Sequence, residues 1–398
     1  MTQSHISYHI NGVNTPLPDT LEMHLKALNP RWLLIKDNID MARAWAHKLP
    51  QTQVIARNWA LTQGDENVYR LSPEQWLDKR LPEATDGLWL MVSNEAGLNP
   101  TWDIALMKLV LARGLKQVKL VIGNYNVGTP ELADWTTPVM REWFQLLDSH
   151  RDQFVLGLHE YFCGIAPSGF VGGYPDGSTS DGKTGVHPNY ENRANWPSDA
   201  STIGQLWHCG RVMTVNAAAR SSGLMPPRVV LTEHGADRVR DIDGWVQKFQ
   251  PSGGYPSIRG WKSLTNLWGR LMPNKGQQEV YLDNVTYLDK AVYSHFPNVE
   301  AQLLYTWSSA PDWTDFDLSA ATTFHAGLET YAQATPVINT PPSDPVPPVG
   351  TPTPQPTVGF VPTVEEIKTL RDLRSVLLAN ITIQQAQLAL INRILEKV

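Results

Sequence analysis

Short runs of Val, Ile and Leu recur along the first 335 residues, and most consecutive pairs are separated by a segment whose apolar positions repeat at helical spacing. Apolar runs of this kind, without polar alternation, suit strands of a parallel sheet buried on both faces. Eight stand out: His5–Asn11 (the weakest), Trp32–Lys36, Gln53–Arg57, Leu88–Ser93, Val118–Gly123, Phe154–His159, Arg228–Thr232 and Ala301–Thr306. Between or after them lie the amphipathic segments 39–49, 73–81, 101–114, 130–150, 202–222, 277–296 and 324–334. Eightfold strand–helix alternation predicts an α/β fold, a (β/α)8 TIM barrel occupying residues 1–335.

The composition changes sharply after that. Residues 336–362 are rich in Pro, which removes backbone donors and fixes φ, so a semi-rigid extended linker is expected. In residues 363–398, Ile367, Leu370, Arg374, Leu377, Ile381, Gln384, Leu388, Ile391, Leu395 and Val398 alternate at spacings of three and four. That is an a/d heptad frame, predicting a C-terminal coiled-coil helix. Leu373, Leu378 and Ile394 widen the apolar stripe, which favours a homo-oligomer of more than two chains, a trimer or tetramer.

Composition excludes several function classes. A formal net charge of −6, with no stretch concentrating Lys and Arg, does not suit a binder of nucleic acid or of anionic membranes. The two cysteines, Cys163 and Cys209, are too few for a disulfide framework and lack zinc-site spacing, so free thiols are expected. No segment is long and apolar enough for membrane insertion, and MTQSHISYHINGVN lacks the basic region and apolar run of a secretory signal. The expectation is a soluble chain, cytoplasmic or borne and released with a phage. Its 15 tryptophans outnumber its 12 tyrosines and 9 phenylalanines; flat indole faces suit sugar rings, although many must belong to the core.

A barrel of this kind builds its site from residues at the carboxyl ends of its strands. The fourth run, GLWLMVSNEAG, breaks from apolar residues into Asn94-Glu95, and the seventh, VVLTEHG, ends on Glu233. Two carboxylates across one mouth suit glycoside hydrolysis, in which one protonates the leaving oxygen while the other attacks or activates water. In these residues the sequence resembles the clan A glycoside hydrolases, retaining barrel enzymes with Asn-Glu after strand four and Glu after strand seven. The resemblance spans roughly residues 5–335 and implies a carbohydrate substrate, with no cofactor or metal. By it, Glu95 corresponds to the acid/base, Glu233 to the nucleophile and Asn94 to the amide that contacts the sugar 2-hydroxyl. His159 and Tyr161 match positions that orient the nucleophile, and Trp307 matches a tryptophan that floors the cleavage subsite. Asn58, Trp59 and Asn124, at the ends of strands three and five, complete the candidate substrate-binding set. Where many clan members carry Arg after strand two and His after strand three, this chain has Lys36-Asp37-Asn38 and Arg57-Asn58-Trp59.

The environments of the pair should differ: Glu95 holding its proton beside an anionic Glu233, and Glu233 kept ionised by donors such as Tyr161. Glu160, between His159 and Tyr161, should face the other way. Other motifs are weaker. GSTSDGKT at 177–184 has phosphate-loop spacing, but its flanks are loop sequences rather than strand and helix. A cover over the cleft is the better reading, with Tyr190 and Trp196 as platforms. Asp312, Asp315 and Asp317 do not fit a calcium-loop pattern and suit a solvated turn. The competing function is a virion or surface attachment protein whose barrel binds glycan without cleaving it.

Overall fold

The computed structural model describes residues 3–11, 19–58, 65–84, 87–125, 132–162, 209–236, 260–264, 273–308 and 311–335. The linker, the heptad helix, Trp59, Cys163, Tyr190, Trp196 and the 177–184 motif lie outside them.

Eight strands close into one barrel in sequence order, each parallel to the next: β1 (Ile6–Asn11), β2 (Trp32–Lys36), β3 (Gln53–Arg57), β4 (Trp89–Met91), β5 (Lys119–Tyr125), β6 (Phe154–Phe162), β7 (Val229–Ala236) and β8 (Val299–Trp307). The ladder from β8 back to β1 runs from Ile6 opposite Gln302 to Ile10 opposite Trp307. Helices follow the strands: α1 (Asp19–Leu28), α2 (Ile39–Lys48), α3 (Pro73–Arg80), α4 (Pro100–Ala112), α5 (Pro138–Ser149), α6 (Val212–Ser221), α7 (Gln277–Ala291) and α8 (Thr322–Ala334). None of the described helices is long and apolar enough to cross a membrane.

Local chemistry fixes the starts of several helices. Asn38 and Asn99 cap α2 and α4 by accepting from the third residue onward, and Ser72 with Gln75 makes a reciprocal capping box ahead of Pro73. The alternation in the sequence leaves the stretch between β1 and β2 unassigned, and the structure fills it with α1. Its buried residues, Leu21, His24, Leu25 and Leu28, have helical spacing, but one of them is a histidine and Met23 faces out, which weakens the apolar pattern.

Two cores result. The outer one, between strands and helices, takes most of the indoles among the described residues, including Trp45, Trp76, Trp102, Trp135 and Trp143. The lumen is filled by Trp32, Leu34, Ile55, Trp89, Met91, Val121, Val155, Val230, Ala301 and Leu303. At the amino-terminal end of the lumen, Arg228 lies over Trp32 and Trp89, at 5.8 and 5.4 Å, and forks onto Glu300. Burial alone would raise the Glu300 pKa, but Arg228 holds it below the usual range. The lumen is thus plugged from beneath, and polar side chains collect at the opposite, carboxyl end.

Candidate active site

The tip of β7 delivers Glu233 through a register irregularity. Leu158 pairs with Leu231 but His159 pairs with Glu233, so one extra β7 residue is accommodated. Strict alternation would turn Glu233 away from the lumen side that Thr232 occupies. The irregularity instead lets Thr232 donate to Asn124 Oδ1 at 2.9 Å while Glu233 also reaches the mouth. There Glu233 is held tightly: Arg57 Nη1 donates to its Oε1 at 2.9 Å and Tyr161 Oη to its Oε2 at 2.7 Å, with the Glu233 side chain 9% exposed.

Glu95 is presented differently. It sits past β4 with φ of 53°, a left-handed conformation uncommon outside glycine, and its N–H bonds to Asn124 O at 3.0 Å, extending the β4–β5 contact beyond the strands. Its side chain is 33% exposed and meets His159 Nδ1 at 3.1 Å. His159 Nδ1 is also 3.6 Å from Glu233 Oε2, which puts the imidazole between the carboxylates. One oxygen of each glutamate and one nitrogen of His159 all fall within 4.8 Å of one another. Burial alone would push the His159 pKa down; the Glu233 charge and the Glu95 hydrogen bond outweigh it, and the pKa is raised. The bond at 3.1 Å carries one proton, donated either by Nδ1–H to a carboxylate or by a Glu95 carboxyl to Nδ1. By chemistry and spacing these three could ligate a divalent cation, although the guanidinium 2.9 Å from Glu233 opposes a second positive charge there.

The remaining sequence candidates separate. Asn94 stays at the mouth, buried, and its Oδ1 has no protein partner. Asn124 is fully buried; besides accepting from Thr232 it donates to Val121 O at 3.1 Å, so its amide braces β5 against β7 below the mouth. Asn58 donates to Glu83 at 2.6 Å; Glu83 pairs with buried Arg80, whose guanidinium donates to the carbonyls of Ala56 and Met91. That chain of contacts ties down the β3 tip that carries Arg57. Trp307 is not brought to the mouth. It is 3% exposed and packs among Tyr8, His24 and His325, the last at 4.5 Å between ring centroids. The cause is a second irregularity: His9 pairs with Tyr305 but Ile10 with Trp307, which carries Trp307 to the outer core. Glu160 does face outward, accepting from the N–H groups of Gly210 and Val212 at the start of α6 and from Tyr293 Oη.

Sequence reasoning missed three residues of the mouth. Arg57 is the main cation on Glu233. His9 is fully buried, with Nδ1 3.7 Å from Glu233 Oε1, and burial together with the Arg57 and Lys36 charges holds its pKa well below the usual value, so it is neutral. Tyr305 stands edge-on to His9 at 5.0 Å, and its pKa is raised, by burial first and then by the Glu233 charge. A signal existed for His9 and Arg57. Ser7, His9 and Asn11 alternate as polar residues in a strand, and Arg57 is a charge at the carboxyl end of an apolar run.

Fold and mouth together define a closed parallel (β/α)8 barrel with a carboxylate pair at the carboxyl ends of its strands. No family model matches the chain, and no curated protein is significantly similar to it. Among solved structures it is similar to a β-1,3-glucanase and allergen of Cryptomeria japonica pollen, at 16% identity and TM-score 0.42 over 80% of this chain and 95% of that one. It is also similar to a glycoside hydrolase family 30 subfamily 8 xylanase from Clostridium acetobutylicum, at 12% identity and TM-score 0.41 over 84% of this chain and 72% of that one. At these values neither neighbour adds to the topology already given by the strand ladder.

Proposed function

We propose that the chain is a retaining glycoside hydrolase that cleaves O-glycosidic bonds of an oligo- or polysaccharide by double displacement. The observation that carries this reading is that one oxygen of Glu95 and one of Glu233 come within 4.8 Å of each other across the barrel mouth. Retaining enzymes hold their carboxyl groups about 5–5.5 Å apart, whereas inverting enzymes need about 6.5–9.5 Å to admit a water. The asymmetry of the pair supports the assignment of roles. Glu233, clamped by Arg57 and Tyr161, is the oriented, ionised nucleophile that forms the ester with the anomeric carbon. Glu95, more exposed and in contact with an imidazole, gives its proton to the leaving oxygen and then takes one from the incoming water. As charge leaves Glu233 and arrives on Glu95, His159 lies within reach of both oxygens and can follow it. Asn94 Oδ1, a buried acceptor without a protein partner, suits a sugar hydroxyl.

Glu95→Gln tests the reading. The variant should lose activity on natural glycans, keep activity on aryl glycosides whose leaving groups need no proton, and be accelerated by azide. Equal activity of the variant and the parent on natural glycans would remove Glu95 from the acid role. The domain arrangement belongs to the same proposal: a Pro-rich spacer at 336–362, and a heptad helix at 363–398 that joins barrels into an oligomer and raises avidity for a polymer surface. Truncation after Thr335 should give a monomer with undiminished rates on small soluble substrates; sedimentation of both forms decides, and a monomeric full chain refutes the assembly.

A further inference from the structure

Among the described residues, four large hydrophobic side chains are exposed: Met23, Leu98, Met225 and Trp313. Trp313 is the aromatic one, at 36% exposure, and it lies beside the mouth. It belongs to the 3-10 segment Pro311–Phe316 that follows β8, and the backbone kinks at Trp313 itself, with φ of −125° and ψ of 20°.

The segment around it is fixed on several sides. Trp261 Nε1 donates to Phe316 O at 3.2 Å and Lys262 Nζ to Thr314 O at 2.9 Å. Leu318 N donates to Thr306 O at 3.0 Å, and the Asp317 carboxylate accepts from Ser308 N at 3.1 Å and Ser319 N at 2.9 Å. Gly260 comes so close that a Cβ there would stand 2.6 Å from Asp315 O. These contacts tie the turn to the end of β8 and to the 3-10 segment Trp261–Leu264. An aromatic ring on a turn held at several points loses less conformational freedom on binding than one on a loose loop.

The ring also continues a line that starts at the carboxylates. Tyr161, which donates to Glu233, meets Phe316 at 6.3 Å; Phe316 meets Trp313 at 5.8 Å and Tyr305 at 5.3 Å; Tyr305 meets Trp313 edge-on at 6.2 Å. The aromatic wall therefore runs from the nucleophile to the rim and ends in its most exposed member.

We infer that Trp313 is the platform of a second sugar subsite, stacking on an uncharged pyranose ring of the same glycan chain outside the ring that Glu233 attacks. The inference rests on the glycosidase reading and deepens it: the substrate is a chain engaged at more than one sugar. The test is kcat/KM for the full chain on aryl glycosides of neutral mono-, di- and trisaccharides. Binding of the corresponding oligosaccharides to Glu233→Gln is followed in parallel by tryptophan fluorescence. Trp313→Ala should lower kcat/KM for the longer substrates by about tenfold more than for the monosaccharide, the scale of one lost apolar face. Trp313→Phe should recover most of that difference. Trp313→Ala in the Glu233→Gln background should weaken oligosaccharide binding by a similar factor. A folded Trp313→Ala whose losses do not grow with chain length overturns the platform while leaving the glycosidase reading intact. A chain that cleaves none of these substrates but binds oligosaccharides in a Trp313-dependent way overturns the glycosidase reading and keeps the platform. Neither cleavage nor binding overturns both.

Discussion

Replacing Arg57 with Met tests the electrostatics of the mouth, because the two side chains are similar in length but only one is charged. Arg57 and Glu233 are in contact at 2.9 Å, with side-chain exposures of 5% and 9%, so water screens them weakly. Removing one partner of a buried ion pair costs about 3–5 kcal/mol, because the other charge is left without compensation. The neighbours offer little relief: Tyr161 already donates to Oε2, and His9, neutral and 3.7 Å from Oε1, can supply one weaker donor. If even about 3 kcal/mol of that cost falls on the ionised nucleophile, kcat/KM drops by roughly a hundredfold or more. Steady-state rates on an aryl glycoside, with circular dichroism to verify the fold, measure the effect. A folded Arg57→Met protein with a rate within about threefold of the parent would show that Arg57 does not stabilise the nucleophile.

Two further outcomes follow from burial. Trp307→Ala should cost about 3–5 kcal/mol of stability by opening a cavity among Tyr8, His24 and His325, and denaturant midpoints check it; full stability with impaired sugar binding would return that indole to the mouth. Asp103, fully buried between α4, β5 and α5, is pushed by burial up to about 7 from an ordinary 3.8, against the hydrogen bonds from Trp143 and Tyr125. Its folded pKa lies above its unfolded one, so its contribution to stability is complete below about pH 4 and is lost as pH rises through about 7, by up to about 4 kcal/mol. Asp103→Asn should remove that decline, so its stability relative to the parent rises between pH 4 and 8; parallel curves for the two proteins would contradict the assignment.

Much of the barrel was legible because it rests on local signals. β2 and β3 have the bounds that their apolar runs suggest, and the strand tips carrying Asn94-Glu95 and Glu233 could be located by where each run turns polar. What escaped the sequence depends on pairing between strands. Period-two reasoning puts Thr232 and Glu233 on opposite faces and keeps Tyr305 and Trp307 on one; the β6–β7 and β8–β1 irregularities reverse both expectations. Hence Glu233 reaches the mouth beside Thr232, Tyr305 takes the place beside the nucleophile that Trp307 was expected to fill, and Trp307 enters the outer core. Arg57 escaped for a related reason. A cation for the nucleophile can come from any strand tip around the ring, and sequence order alone does not say which tip lies within reach of Glu233.

The central claim, that Glu233 is a covalent nucleophile, is tested most directly by trapping its ester. The full chain would be incubated with a panel of activated 2-deoxy-2-fluoro glycosides, digested with a protease, and the labelled peptide sequenced by mass spectrometry. The account predicts one sugar per chain, attached to Glu233 in the segment Val229–Ala236, and no label in Glu233→Gln. A label on Glu95, or hydrolysis that releases product of inverted anomeric configuration with no trapped ester, would contradict it.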